Sequence, residues 1–100
     1  MRRLPLSLAA LLLVVVACDL PSPDYLGMPA QRVVIDGTEV SVRRRSGQAQ
    51  AIRLGGYARP GTHAVLRARL LEAIEAATGC TVVADRATGD SGVIEAPIVC

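Results

Sequence analysis

Residues 33–42 read Val33-Val34-Ile35-Asp36-Gly37-Thr38-Glu39-Val40-Ser41-Val42. Two runs rich in β-branched residues flank an Asp-Gly pair. Asp-Gly suits a type I′ turn, because both central residues of that turn have positive φ. A two-residue turn pairs Ile35 with Thr38 and Val33 with Val40, and it keeps the apolar side chains on one face. The pattern therefore predicts an antiparallel hairpin.

A third strand is predicted to follow this hairpin and to reach Leu54. A three-residue loop, residues 46–48, would set Ile52 opposite Val42 and Leu54 opposite Val40. This register would keep one apolar face continuous over all three strands.

A helix is predicted from Thr62, as its N-cap, to about Thr78, with Gly79 ending it in the left-handed conformation. Apolar side chains recur at helical spacing on one face, flanked by His63: Leu66, Leu70, Ala73, Ile74 and Ala77. Neither this face nor the apolar face of the sheet could stay exposed alone. We therefore expect the helix to lie across the sheet.

Residues 80–100 are predicted to form two strands around the turn-forming run Gly89-Asp90-Ser91-Gly92. The predicted pairs are Cys80–Cys100, Val82–Ile98 and Ala84–Ala96. Pro97 has no N–H to donate, so its strand is expected at the edge of the sheet. A disulfide that closes a loop of about 20 residues would stabilise the fold by ~3 kcal/mol.

The N-terminal residues have the pattern of an export signal. Arg2 and Arg3 precede an apolar run over residues 4–17 that only Ser7 interrupts. A helix that spans a membrane needs roughly 20 apolar residues. A charged start, a short apolar run and small residues at its end are typical of a signal peptide. Residues 1–17 are therefore predicted to be a cleaved signal.

The end of this run, Val15-Val16-Ala17-Cys18, resembles the lipobox of bacterial lipoproteins. In that family the signal is cut before the cysteine, whose thiol takes a diacylglycerol and whose new amine is acylated. The resemblance implies a lipid anchor at Cys18 and a location in the cell envelope, facing the periplasm. An ordinary secretory signal is the alternative, because Val15 and Ala17 also suit that cleavage rule.

The number of cysteines helps to decide between these alternatives. The chain has three cysteines, and an odd count in an exported protein leaves one thiol unexplained. Lipidation of Cys18 leaves Cys80 and Cys100 as a pair for an oxidising compartment. Asp19 resembles the residue that keeps lipoproteins of enteric bacteria in the inner membrane, so the inner membrane is slightly favoured over the outer.

Residues 18–31 contain three prolines and a glycine, which argue against a helix or a central strand. We interpret them as a lipid-anchored tether that would let the domain, residues 32–100, stand at most ~45 Å from the lipid.

The charge balance argues against nucleic acid as a partner. The chain carries 11 basic and 9 acidic residues, and loss of Arg2 and Arg3 leaves 9 of each sign. A neutral mature chain gives no bulk attraction for nucleic acid. The run Arg43, Arg44 and Arg45 could contact anionic lipid headgroups. A solvated hairpin end is the favoured interpretation of this run, because nothing aromatic accompanies it.

Two further features of the sequence could supply catalytic groups. Gly89-Asp90-Ser91-Gly92 resembles the segment around the nucleophilic serine of chymotrypsin-like proteases, but Val93 stands where that family has a glycine. Those enzymes build their site from two barrels, and the mature chain has 100 minus 17, or 83, residues. His63 is the only histidine, and it is expected to be a boundary residue rather than a metal ligand or a base.

These observations predict an α+β domain, a small antiparallel sheet in the order β-β-β-α-β-β with one helix on one face and one disulfide. We expect a non-catalytic binding or structural module of the cell envelope, held to the membrane by its N-terminal lipid and bound to an unknown envelope protein. No metal and no cofactor are expected. A small secreted or anchored enzyme, or an enzyme modulator, is the alternative.

Overall fold

The structure, a computed structural model, describes residues 19–56 and 58–100, so the predicted signal peptide and Cys18 lie outside the described residues. These residues form one α-helix packed on one face of an antiparallel sheet, as the sequence predicts. The elements are β1 (Gln31–Ile35), β2 (Thr38–Arg45), β3 (Gln48–Arg53), α1 (His63–Thr78), β4 (Thr81–Val82), β5 (Thr88–Gly89) and β6 (Val93–Val99), with 3-10 turns at Pro23–Tyr25 and Ala84–Arg86.

The first hairpin has the predicted register. Ile35 lies opposite Thr38, and Val33 lies opposite Val40. Asp36 and Gly37 close the turn with φ values of 48° and 81°. Both central residues therefore have the positive φ that a type I′ turn requires.

The register predicted for β3 is wrong by one residue. The loop between β2 and β3 has two residues, not three, because Arg45 lies directly opposite Gln48. Gly47 takes the positive φ of 72° that lets so short a turn close. Val42 therefore faces Ala51, and Ile52 lies opposite Ser41. The shift moves Ile52 to the face opposite the helix, since neighbouring side chains in a strand point to opposite faces.

The strand that contains Pro97 is not an edge strand. The sheet order is β1-β2-β3-β6-β4, with β5 also paired to β6. Strand β6 therefore has neighbours on both sides. The predicted pair of Val82 and Ile98 is confirmed, whereas Ala96 pairs with Ala49 of β3 and not with Ala84.

The missing N–H of Pro97 explains why Ala84 leaves the sheet. The Val83 N–H donates to the Pro97 carbonyl at 2.9 Å, but Pro97 can return no hydrogen bond. The Val83 carbonyl accepts instead from the Arg86 N–H at 3.1 Å. This bond forms the 3-10 turn at Ala84–Arg86, which interrupts the ladder before β5.

The core lies between α1 and the face of the sheet that we call the inner face. Among the described residues it contains no aromatic side chain and consists of aliphatic ones and one cysteine: Val40, Val42, Ala49, Ala51, Leu70, Ala73, Ile74, Cys80, Ile94, Ala96 and Ile98. The helix bounds agree with the prediction, and Gly79 ends the helix with a φ of 72°. Thr62 makes no side-chain cap, because its hydroxyl donates to the Arg59 carbonyl at 2.6 Å.

Cys80 and Cys100 form the predicted disulfide. The bond joins the residue that follows Gly79, at the end of α1, to the residue that follows β6. It closes the core at that end, where the Cys80 side chain is buried.

Replacement of Cys100 by Ser should lower the free energy of unfolding by about 2–5 kcal/mol. The effect is large because a small core of aliphatic side chains stabilises the domain only slightly without the disulfide. Thermal denaturation of wild type and Cys100→Ser measures the difference, with reduced wild type as the control. Thiol labelling of denatured, unreduced wild type should modify neither Cys80 nor Cys100, and labelling of both would contradict the bond.

Candidate functional site

The face of the sheet opposite α1, which we call the outer face, is covered in part by the residues that precede β1. The 3-10 turn at Pro23–Tyr25 contacts β2. Tyr25 is fully buried, and the Arg45 guanidinium lies 6.0 Å from the centre of its ring. Residues 19–25, which the sequence assigns to the tether, therefore pack against the folded domain.

An ion pair fixes the start of this segment. Arg43 Nη1 donates to Asp19 Oδ1 at 3.0 Å, and Arg43 Nη2 donates to Asp19 Oδ2 at 3.4 Å. The side chains keep only 12% and 14% of their surface exposed, respectively. Two nearly parallel bonds between a guanidinium and a carboxylate fix orientation as well as distance. Asp19, the residue that follows the predicted lipidation site, is thus held on β2.

The middle of the segment is held by a polar cluster on β3 and β6. Gln50 Nε2 lies 2.9 Å from the Ser22 hydroxyl oxygen and 3.3 Å from Glu95 Oε2. Gln50 is itself buried on the outer face. The one-residue shift of β3 places Gln50 here, where its amide can bond to Ser22.

Tyr25 contributes packing rather than a hydrogen bond. Its hydroxyl is buried and has no partner among the described residues. Burial, followed by the negative charge of Glu95, raises the pKa of the Tyr25 phenol above its ordinary value. The phenol therefore stays neutral at physiological pH.

The run Arg43, Arg44 and Arg45 does not form one basic patch. Arg43 and Arg45 lie on the outer face, and Arg45 pairs with Asp24 at 3.7 Å. Arg44 points to the inner side, where its Nη2 lies 3.5 Å from Cys100 Sγ. Of the three, Arg44 and Arg45 are exposed, whereas Arg43 is partly buried.

The structure brings together Ser91 and His63, which the sequence did not connect. The Ser91 hydroxyl oxygen lies 2.7 Å from His63 Nδ1. Ser91 is buried, with 6% of its surface exposed. A nucleophilic serine needs an accessible hydroxyl and a base oriented by a third group. Among the described residues no hydrogen bond orients the other nitrogen of His63, so this contact pins a loop to the start of α1.

Asp90 builds the turn that carries Ser91. Its Oδ1 accepts from the N–H groups of Gly92 and Val93 at 2.7 and 3.0 Å. These two hydrogen bonds are the main reason that the pKa of Asp90 lies below its ordinary value. Gly89 is required beside it, since a Cβ there would collide with the Val93 carbonyl.

Two negative findings apply to residues 19–56 and 58–100. They contain no group of three or more His, Cys, Asp or Glu side chains placed to hold a metal ion. No helix within them is both long and apolar enough to cross a bilayer.

Comparisons with known proteins find no match, whether against protein-family models, curated proteins or solved structures.

Replacement of Asp19 by Asn should release residues 19–25 from the outer face, because the Arg43 guanidinium loses its charged partner. We expect cleavage by chymotrypsin near Leu26 to become about tenfold faster, the equivalent of ~1.4 kcal/mol for a lost charge-assisted bond. Time-resolved mass spectrometry of the purified protein measures the rate. Asp24→Asn is the matched control and should change little, since that pair is exposed. Equal rates for wild type and Asp19→Asn would show that the ion pair does not hold the segment.

Replacement of Asp90 by Asn should make the free energy of unfolding less dependent on pH. A carboxyl whose pKa is lowered by folding adds stability above its unfolded pKa, and this contribution is lost as pH falls through the folded pKa. The wild type should therefore be more stable than Asp90→Asn at pH 7, and the difference should shrink as pH falls below about 4. Urea unfolding at pH 7, 5 and 3 measures it. Asp85→Asn, on the nearby 3-10 turn, is the control. If the difference in unfolding free energy between wild type and Asp90→Asn does not change with pH, the charge of Asp90 has no such role.

Proposed function

We propose that this protein is a lipid-anchored, non-catalytic module of the bacterial cell envelope that binds another envelope component from the periplasmic side. Residues 1–17 are removed on export, and Cys18 carries the lipid. The observation that supports this most directly is the Cys80–Cys100 disulfide. It uses two of the three cysteines and fits an oxidising compartment.

The contacts of Asp19 support one particular way in which such an anchor would hold the domain. Cys18 immediately precedes Asp19 in the sequence, and Asp19 is held on β2 by Arg43. The acyl chains would then leave the protein directly beside the outer face. The domain would sit at the level of the lipid headgroups rather than at the end of a ~45 Å spacer.

Acyl chains would provide most of the membrane affinity. One acyl chain gives only marginal, reversible binding, and two anchoring signals are needed for stable attachment. A diacylglycerol with an additional amide-linked chain exceeds that requirement. The exposed Arg44 and Arg45 would add to this affinity, by at most ~1 kcal/mol for each near anionic headgroups. Arg45 is drawn back toward Asp24 and Tyr25, so its contribution is the smaller of the two.

The mature protein from its native envelope should begin at Cys18, carry ester- and amide-linked acyl groups there, and partition into detergent. Intact mass and N-terminal peptide mass spectrometry test this. The matched variant Cys18→Ser should keep the Cys80–Cys100 bond but lose the acyl groups and leave the membrane fraction. An unmodified soluble form that begins at Cys18 would contradict the proposal and favour ordinary secretion. Crosslinking in intact cells, followed by purification in detergent, should then identify the bound envelope component.

A further inference from the structure

A groove of about 560 Å³ opens between α1 and the turn of the first hairpin. One wall is a stripe of α1 that includes Val65, Leu66 and Arg69. The opposite wall includes Thr38, and the loop after β3 closes the remaining side. Sites for small molecules have volumes of about 300–1,000 Å³. The groove therefore has the size of a small-molecule site.

Three arginines from different elements line this groove. Arg53 ends β3, Arg59 lies in the loop, and Arg69 projects from α1. The lining contains one acidic residue, Glu39, and its carboxylate is paired with Arg32 at 3.8 Å. The groove is therefore locally basic in a chain whose charges balance after residue 17.

Hydrogen bonds hold two of these three side chains in place. Several N–H donors of the three arginines still have no partner among the described residues. Arg53 Nη1 donates to the carbonyls of Gly55 and Gly56 at 3.1 and 3.2 Å, which holds the loop. Arg69 Nη1 donates to the Thr38 hydroxyl at 3.0 Å, across the groove. A guanidinium has five N–H donors, so most of those on Arg69 remain open. Arg59 makes no side-chain hydrogen bond to the described residues.

Apolar side chains lie beside these charges. Val65 is 52% exposed in the wall of the groove. Leu54 and Leu66 are half-buried next to it. Exposed aliphatic surface beside guanidinium groups suits a ligand with both a charged and an apolar part.

We propose that this groove binds a small organic anion, with one carboxylate or phosphate held by Arg59 and Arg69 and an apolar part against Val65 and Leu66. The guanidinium fork matches the oxygens of either group. This proposal does not depend on lipidation of Cys18.

The position of the groove favours a soluble ligand over a lipid headgroup. Thr38 lies at one end of β2, and Arg43, which holds Asp19, lies five residues further along the strand. Five residues of an antiparallel strand span ~17 Å. The groove is thus well separated from the place where the chain would enter a membrane. An anionic headgroup has the same chemistry, so the experiment must distinguish the two sources.

Isothermal titration of the purified full-length protein in nonionic detergent tests the proposal, with phenyl phosphate as the probe. We expect saturable binding at one site, and weaker binding of benzyl alcohol, which has the ring without the charge. Arg59→Gln and Arg69→Gln should each weaken phenyl phosphate binding about tenfold, as expected for loss of one charge-assisted hydrogen bond. Arg86→Gln is the matched control, since Arg86 is exposed on the 3-10 turn outside the groove.

Thr38→Val separates a structural role of Arg69 from a binding role, because it removes the Arg69 hydrogen bond and keeps the charge. It should bind phenyl phosphate within about twofold of wild type, which is less than the loss of a charged bond. No saturable binding, equal binding of benzyl alcohol, or full affinity in Arg59→Gln and Arg69→Gln would overturn the proposal. If micelles that contain phosphatidylglycerol displace phenyl phosphate, the anion that the groove binds is a lipid headgroup. If they do not displace it, the anion is a soluble molecule.

Discussion

The two-residue turn at Ser46 and Gly47 sets the register of β3, and both layers that cover the sheet depend on that register. With this register Ala49 and Ala51 face α1, and their small side chains allow the helix to approach the sheet closely. The same register turns Gln50 and Ile52 to the outer face. There Gln50 bonds to Ser22 and the chain before β1 can pack. A shift of one residue would exchange the two sets of side chains and remove both layers at once.

The parts of the fold that the sequence predicts are those set by local chemistry. Asp36-Gly37 determines its own turn, and Gly79 ends its own helix. The register of β3 could not be predicted with the same certainty, because Gly47 fits loops of two or three residues. Pro97 shows a different difficulty. Its missing N–H was evident from the sequence, but the sequence does not show which segment lies beside the Pro97 nitrogen in the sheet.

The candidate sites were harder to predict from the sequence than the fold, because their contacts join residues that are far apart in the chain. Asp19 and Arg43 are 24 positions apart, and neither has a local pattern that indicates its partner. Proline content alone suggested a free spacer, although prolines also suit a 3-10 turn against a sheet. The arginines of the groove come from a strand end, a loop and a helix, so only the folded chain brings them together.

The break that Pro97 makes in the ladder also has a consequence for association between chains. On that side of β6 the sheet ends in β4 and β5, each only two residues long, with the 3-10 turn between them. Unpaired strand edges are the usual template for β-aggregation, and short or interrupted edges remove it. A second chain would find no continuous row of backbone donors and acceptors at this border. A single residue without an N–H therefore blunts one of the two edges of the sheet, so a second chain could add to the sheet only along the other edge, β1.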